Sequence, residues 1–129
     1  MRLTLERQRF QQWADNMPIV VWTAGSDGIL TYVNQVMTAY SGVATEDLLI
    51  NWLDIVHPDD RERVTTRWQH CLQTGDAYSI EFRFRRLDGH YVWHLTKAVA
   101  VYDNAGNIEK WLGSAMALGT VSRHHTSRV

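Results

Sequence analysis

Tyr78 to Trp93 reads YSIEFRFRRLDGHYVW, and this stretch decides the fold. Two runs rich in β-branched and aromatic residues flank Leu87-Asp88-Gly89-His90. Asp-Gly between such runs is among the strongest short-range signals for a tight turn, so the stretch reads as a β-hairpin. A clearly marked helix precedes it. His57-Pro58-Asp59-Asp60 opens that helix. Proline suits a first turn because its missing N–H has no helical partner to lose, and carboxylates favour the positive end of the helix dipole. Val64, Trp68, Cys71 and Leu72 form an apolar stripe, and Gly75 supplies the stop.

Outward from this core, Ile19 to Thr23 and Ile29 to Val33 read as two strands joined by Ser26-Asp27-Gly28. Asn34 is placed to cap a short helix over Gln35 to Tyr40, closed by Gly42. Thr45 is placed to cap another, with Glu46 and Asp47 complementing its dipole. Trp52 to Val56 is a compact apolar link. After the hairpin its second strand continues to about Tyr102, a turn follows at Asp103 to Asn107, and Ile108 to Leu118 is a fifth strand. Leu3, Phe10, Trp13 and Met17 recur at helical spacing, so residues 1–17 read as an amphipathic flanking helix ended by Pro18. Residues 119–129 are polar and basic without periodicity and read as a loose tail. Strands joined by tight turns are antiparallel neighbours. The expected class is α+β, one five-stranded antiparallel sheet over residues 18–118 with helices gathered on one face.

The sheet must have two unlike faces. The loop at Asp88-Gly89 allows two residues, pairing Phe84 with Trp93, or three, pairing Phe84 with His94. Packing favours the second. One face then carries Phe82, Phe84, His94, Thr96, Ala98, Trp111 and Ala115, with small residues leaving room for helices or a ligand. The helix over residues 58–74 would lie across it through Val64, Trp68 and Leu72. The other face carries Trp93, Leu95, Val99, Leu112 and Met116 beside Glu81, Arg83, Arg85 and Lys97. It is too apolar for water alone, which predicts cover by the flanking helix through Phe10 and Trp13, by a second subunit, or by both. The same register sets Glu81 across from Lys97 as an ion pair.

Composition narrows the rest. The 129 residues carry a formal net charge of −1, which gives no reason to expect nucleic acid or an anionic membrane as the main partner. One cysteine, Cys71, excludes an internal disulfide and suits a reducing, cytoplasmic compartment. No apolar run approaches the roughly 20 residues that span a bilayer. The start, MRLTLERQRF, carries charge throughout and has no secretory pattern.

Taken in order, the residues resemble a PAS domain with its C-terminal PAC segment. The matching pieces are Asp27-Gly28 before Tyr32-Val33-Asn34, then Tyr40-Ser41-Gly42 with Thr45-Glu46-Asp47-Leu48-Leu49. Val56-His57-Pro58-Asp59-Asp60-Arg61 and Thr74-Gly75-Asp76 follow. The set closes with Glu81-Phe82-Arg83, Arg86, Asp88-Gly89, Trp93, and Asp103 to Gly106 leading to Trp111-Leu112-Gly113-Ser114. Each piece is weak alone, but the ordered set is specific and covers about Gln11 to Met116. The resemblance implies a ligand cavity between sheet and helices. It also implies a sensory or dimerisation module, not itself an enzyme, inside a larger histidine kinase or cyclic-dinucleotide enzyme. Two departures stand out. Ile50 occupies a position where such domains often have glycine, leaving Asn51 to take a left-handed conformation instead. Ala117-Leu118-Gly119 stands where an Asp-Ile-Thr-like signature commonly couples to the next domain, and the stretch reads as an excised module.

The candidate ligand pocket is therefore Phe82, Phe84, His94, Thr96, Trp111, Ala115 and Trp68. The candidate dimer or flanking-helix surface is Phe10, Trp13, Trp93, Leu95 and Leu112. His94 is weighed as a polar anchor in an apolar cavity, against a core histidine bonded to backbone. The alternative function is a redox sensor holding a flavin among the tryptophans. Haem is disfavoured because His70 points away from the helix stripe. A flavin–cysteine adduct is rejected because no cysteine lies between Asn34 and Asp54, and Cys71 reads as a buried structural thiol. His57, Asp59 and Asp60 are read as helix-initiation chemistry rather than a metal cluster. An enzyme would need a carboxylate beside His94, and the sequence offers none.

Overall fold

The computed structural model describes Gln8, Arg9 and residues 19–118. The flanking helix beyond Gln8 and Arg9, with Phe10 and Trp13, and the tail 119–129 lie outside the described residues. Five strands form one sheet: β1 Val20–Gly25, β2 Leu30–Val33, β3 Tyr78–Arg85, β4 Tyr91–Tyr102 and β5 Ile108–Ala117. Their order is β2-β1-β5-β4-β3, and every neighbouring pair is antiparallel. Between β2 and β3 run α1 Gln35–Ser41, α2 Thr45–Asn51, 3₁₀ turns at Trp52–Ile55 and Pro58–Asp60, and α3 Arg61–Thr74. The first and last strands are thus central neighbours, with Val20 beside Ala115.

Local chemistry accounts for most boundaries. Asp27 Oδ1 accepts the Ile29 N–H at 3.0 Å and closes the first hairpin. Gly42 and Gly75 end α1 and α3 in the left-handed region, at φ 74° and 81°, where a side chain would be strained. Asn34 holds the N-cap position of α1 without a side-chain cap, and Thr45 is not the cap of α2. Asn34 is fully buried; its Oδ1 accepts the Val21 N–H and its Nδ2 donates to the Ile19 carbonyl, pinning β1 to the end of β2. Ala44 is the residue before α2, Thr45 is already helical, and its hydroxyl lies 3.2 Å from that of Thr38. Asn51 has φ −125°, so it is not left-handed, and no non-glycine residue has positive φ among the described residues.

The opening hairpin has a three-residue loop, but not in the expected place. Arg86 and His90 bracket Leu87-Asp88-Gly89, with the Arg86 N–H donating to the His90 carbonyl at 2.7 Å. Phe84 therefore faces Val92, and Phe82 faces His94. This is a two-residue slip from the expected register. Because side chains alternate with period two, a slip of two leaves both faces unchanged. It does move the cross-strand neighbours: Glu81 lies opposite Leu95, and Lys97 lies opposite Ser79, so Glu81 and Lys97 are not directly across from each other.

The small residues of the inner face serve aromatic packing. Trp22, Gly113, Ala98 and Tyr78 form one row across four strands. A Cβ at Gly113 would overlap the Trp22 indole. With only Gly113 and Ala98 between them, Trp22 and Tyr78 bring their rings to 6.5 Å edge-on. Trp68 of α3 completes the cluster at 5.7 Å from Trp22, 5.0 Å from Tyr78 and 5.1 Å from Trp111. Edge-to-face rings at these distances are favourable beyond their buried area. The room expected for a close-approaching helix or ligand in this row is filled by the sheet's own side chains.

The segment before α3 guards an exposed strand edge. β3 ends the sheet, and an unpaired edge is a site of unwanted strand addition. Val56 bridges to Phe84, and the His57 N–H donates to the Arg83 carbonyl at 2.9 Å. Asp60 takes the Arg83 N–H at 2.9 Å and its guanidinium at 3.0 and 2.8 Å. His57 caps the helix start, its Nδ1 accepting the Asp59 N–H at 3.1 Å, and Asp59 and Asp60 stand in that first turn. Asp60 makes no side-chain cap.

Candidate functional site

The next row along the inner face is Val20, Ala115, Thr96 and Ile80. Val20, Ala115 and Thr96 floor a cavity of about 60 Å³. Phe82 and Phe84 of β3 wall it on one side, and Trp68 of α3 on another. Met37 of α1, Leu48 of α2 and Ile55 of the first 3₁₀ turn close it from above. Period two places the strand residues, and each short helix presents one buried apolar side chain to the space.

Of the expected pocket residues, Phe82, Phe84, Thr96, Ala115 and Trp68 line this cavity. His94 and Trp111 do not. Trp111 is fully buried behind it, against Trp68. His94 lies one row beyond, its ring edge-on to Tyr40 at 5.1 Å and to Phe84 at 5.0 Å. Its Nδ1 sits 2.9 Å from the Val92 carbonyl, the arrangement of a core histidine bonded to backbone, though on its own strand rather than on a helix. Burial pushes the His94 pKa down, only partly offset by that carbonyl, so its neutral form is favoured. Trp93, Leu95 and Leu112 face the opposite side, as expected, with the Arg83 guanidinium 4.9 Å over the Trp93 ring. Val99, Leu112 and Met116 are exposed there at 54%, 37% and 48%.

Several lining residues escaped the sequence reading, among them Val20, Trp22, Leu48, Ile55 and Tyr78. Tyr78 shares the parity of Phe82 and Phe84 and was open to discovery by period two. The others come from elements brought in only by tertiary packing. Burial raises the Tyr78 phenol and the Cys71 thiol, so neither ionises readily. Cys71 is a buried free thiol 3.8 Å from the Ala77 carbonyl.

A flavin does not fit this cavity. Sites for ligands of that size run to roughly 300–1,000 Å³ and supply several polar partners. Here the space is about 60 Å³, and no charged or amide side chain lines it. No histidine lines it either, and His70 is a surface residue 3.2 Å from Asp76. The described residues hold no cluster of three metal-ligating side chains.

A five-stranded antiparallel sheet, three helices on one face and a partly open apolar cavity between them define the class of α+β sensor modules. The chain belongs to the PAS fold family: the family model for the PAS fold matches residues 30–115. Uncharacterized protein y4lL of Sinorhizobium fredii is 30% identical over 97 residues, which is 75% of this chain and 12% of that protein. The peroxide stress-activated histidine kinase mak2 of Schizosaccharomyces pombe is 34% identical over 101 residues, 76% of this chain and 4% of the kinase. Among solved structures, the N-terminal domain of a diguanylate cyclase with PAS/PAC sensor from Marinobacter aquaeolei aligns with a TM-score of 0.70 at 23% identity. That alignment covers 83% of this chain and 98% of the other. The domain is thus a sensory module of PAS type, a class not itself catalytic, and it spans a small fraction of the curated relatives it matches. No helix among the described residues is long and apolar enough to cross a membrane.

Proposed function

We propose that this domain senses a small molecule in the cavity beneath α1, α2 and α3 and passes the resulting shift to an attached effector. The carrying observation is the partly open apolar space itself, set between the helices and the sheet so that filling it bears on both. Effectors of histidine kinase or cyclic-dinucleotide type are favoured by the kinase relative and the cyclase-associated fold neighbour. Mass spectrometry of molecules released on denaturing the purified domain tests the sensing role. The expected result is a stoichiometric small molecule, or amide shifts confined to the cavity walls on ligand screening. Neither appearing across a broad fragment set would sink it.

The second half of the reading is homodimerisation through the outer sheet face. Exposed Val99, Leu112 and Met116, beside Leu95 and Trp93, support it. Sedimentation should show a concentration-dependent dimer that Leu112→Asp weakens by at least tenfold. A monomer at all concentrations would refute it. A cytoplasmic setting is supported by the single buried cysteine, and a net charge of −1 speaks against nucleic acid as a partner.

A further inference from the structure

We infer that the cavity selects a neutral molecule of about half a dozen heavy atoms or fewer, apolar over most of its surface and carrying one hydroxyl or carbonyl group that meets Thr96. The inference rests on the sensory reading above and adds the chemical class of what is sensed.

Size comes first. A buried water needs about 10–15 Å³ of such space, so about 60 Å³ takes only a handful of heavy atoms. Charge comes second. No Asp, Glu, Lys, Arg or His lines the space. An ion entering it would shed its hydration and find no partner, which excludes carboxylates, phosphates and ammonium compounds.

The third observation is a single polar group in this apolar wall. Thr96 is 4% exposed and lines the cavity, and its Oγ1 is buried with no hydrogen-bond partner. Its flanking row members, Ala115 and Ile80, are aliphatic and have nothing to offer it. The one nearby indole N–H with an assigned acceptor, that of Trp68, is directed at the Gly28 carbonyl. A hydroxyl both donates and accepts, so an alcohol or a ketone satisfies it equally. An isosteric valine would fill the same space without an orphaned polar atom. The hydroxyl therefore gives the pocket a preference for ligands that carry a hydrogen-bonding group, over plain hydrocarbons of the same shape.

The test titrates the domain with 1-butanol, n-pentane and butylamine at neutral pH, reading backbone amide shifts by NMR. Wild type should bind 1-butanol at least fivefold tighter than n-pentane, with shifts at Thr96, Ala115 and Phe82, and should give no cavity shifts with the butylammonium ion. Thr96→Val should erase the alcohol preference while leaving pentane binding unchanged, and Thr96→Ser should restore it. Equal binding of alcohol and alkane by wild type, or binding of butylammonium, overturns the ligand class yet leaves the sensing cavity standing. An unchanged preference in Thr96→Val overturns the role of Thr96. If none of the three probes moves a cavity amide, the inference falls, while the sensing role is decided by the released-molecule analysis and the broad fragment set. The two wild-type comparisons decide the ligand class even if a variant does not fold.

Discussion

Asp60 is 3% exposed and accepts three hydrogen bonds from Arg83, at 2.8 to 3.0 Å. Burial acts to raise its pKa, but the Arg83 hydrogen bonds and charge, with help from Arg63, outweigh it and hold the carboxyl below its ordinary value. A depressed folded pKa contributes stability above the ordinary carboxylate range and loses it as pH falls through the folded value. Asp60→Asn should therefore lower stability by about 2–3 kcal/mol at pH 7 and flatten the acid limb of the profile. Urea unfolding at pH 7 and pH 3.5 measures both effects; a variant as stable as wild type at pH 7 would show the contacts to be idle. His94 acts in the same direction nearer neutrality. Its neutral, buried ring contributes stability above its ordinary pKa of about 6.5, and that stability drains as pH falls toward the depressed folded value. The urea midpoint should fall between pH 7.5 and pH 5.5 in wild type, and much less in His94→Leu. Neither role was fully legible. The Asp60 signal also fits a helix start, and only the approach of β3 assigns its carboxylate to Arg83.

At the scale of elements, the hairpin and its row of small residues were readable because period two is written into the strands. The inward set survived even though the register was read two residues off. Hydrophobic alternation reports parity, not position, and the tip of the loop sets position through hydrogen bonds that sequence pattern does not display. The cavity was legible to the same extent: Phe82, Phe84, Thr96 and Ala115 follow from strand parity, whereas Leu48 and Ile55 arrive on short segments with too few turns to betray a buried side. The inner row supplies a sharp test. Gly113→Ala places a Cβ against the Trp22 indole and should destabilise the domain by roughly 1–3 kcal/mol, read as a lower denaturant midpoint with loss of the upfield-shifted ring-current signals. Wild-type stability in that variant would mean that Trp22 can leave the row freely.

At the scale of the whole molecule, β1 and β5 lie side by side at the centre of the sheet although almost the entire domain separates them along the chain. A polypeptide cut after Asn107 keeps the β1–β2 hairpin, α1 to α3 and the β3–β4 hairpin but lacks β5, which joins β1 to β4 and lies beneath Trp22 through Gly113. It should show no cooperative thermal transition by circular dichroism; a sharp transition would mean that the edge pairs suffice. The consequence reaches into synthesis. The pairing that makes one sheet of two hairpins spans Val20 to Ala115, and its loop-closure entropy is met only once nearly every other element exists. While a ribosome is still extending the chain, the N-terminal hairpin waits as an open edge. The domain becomes a single body only when its last strand slides into the gap.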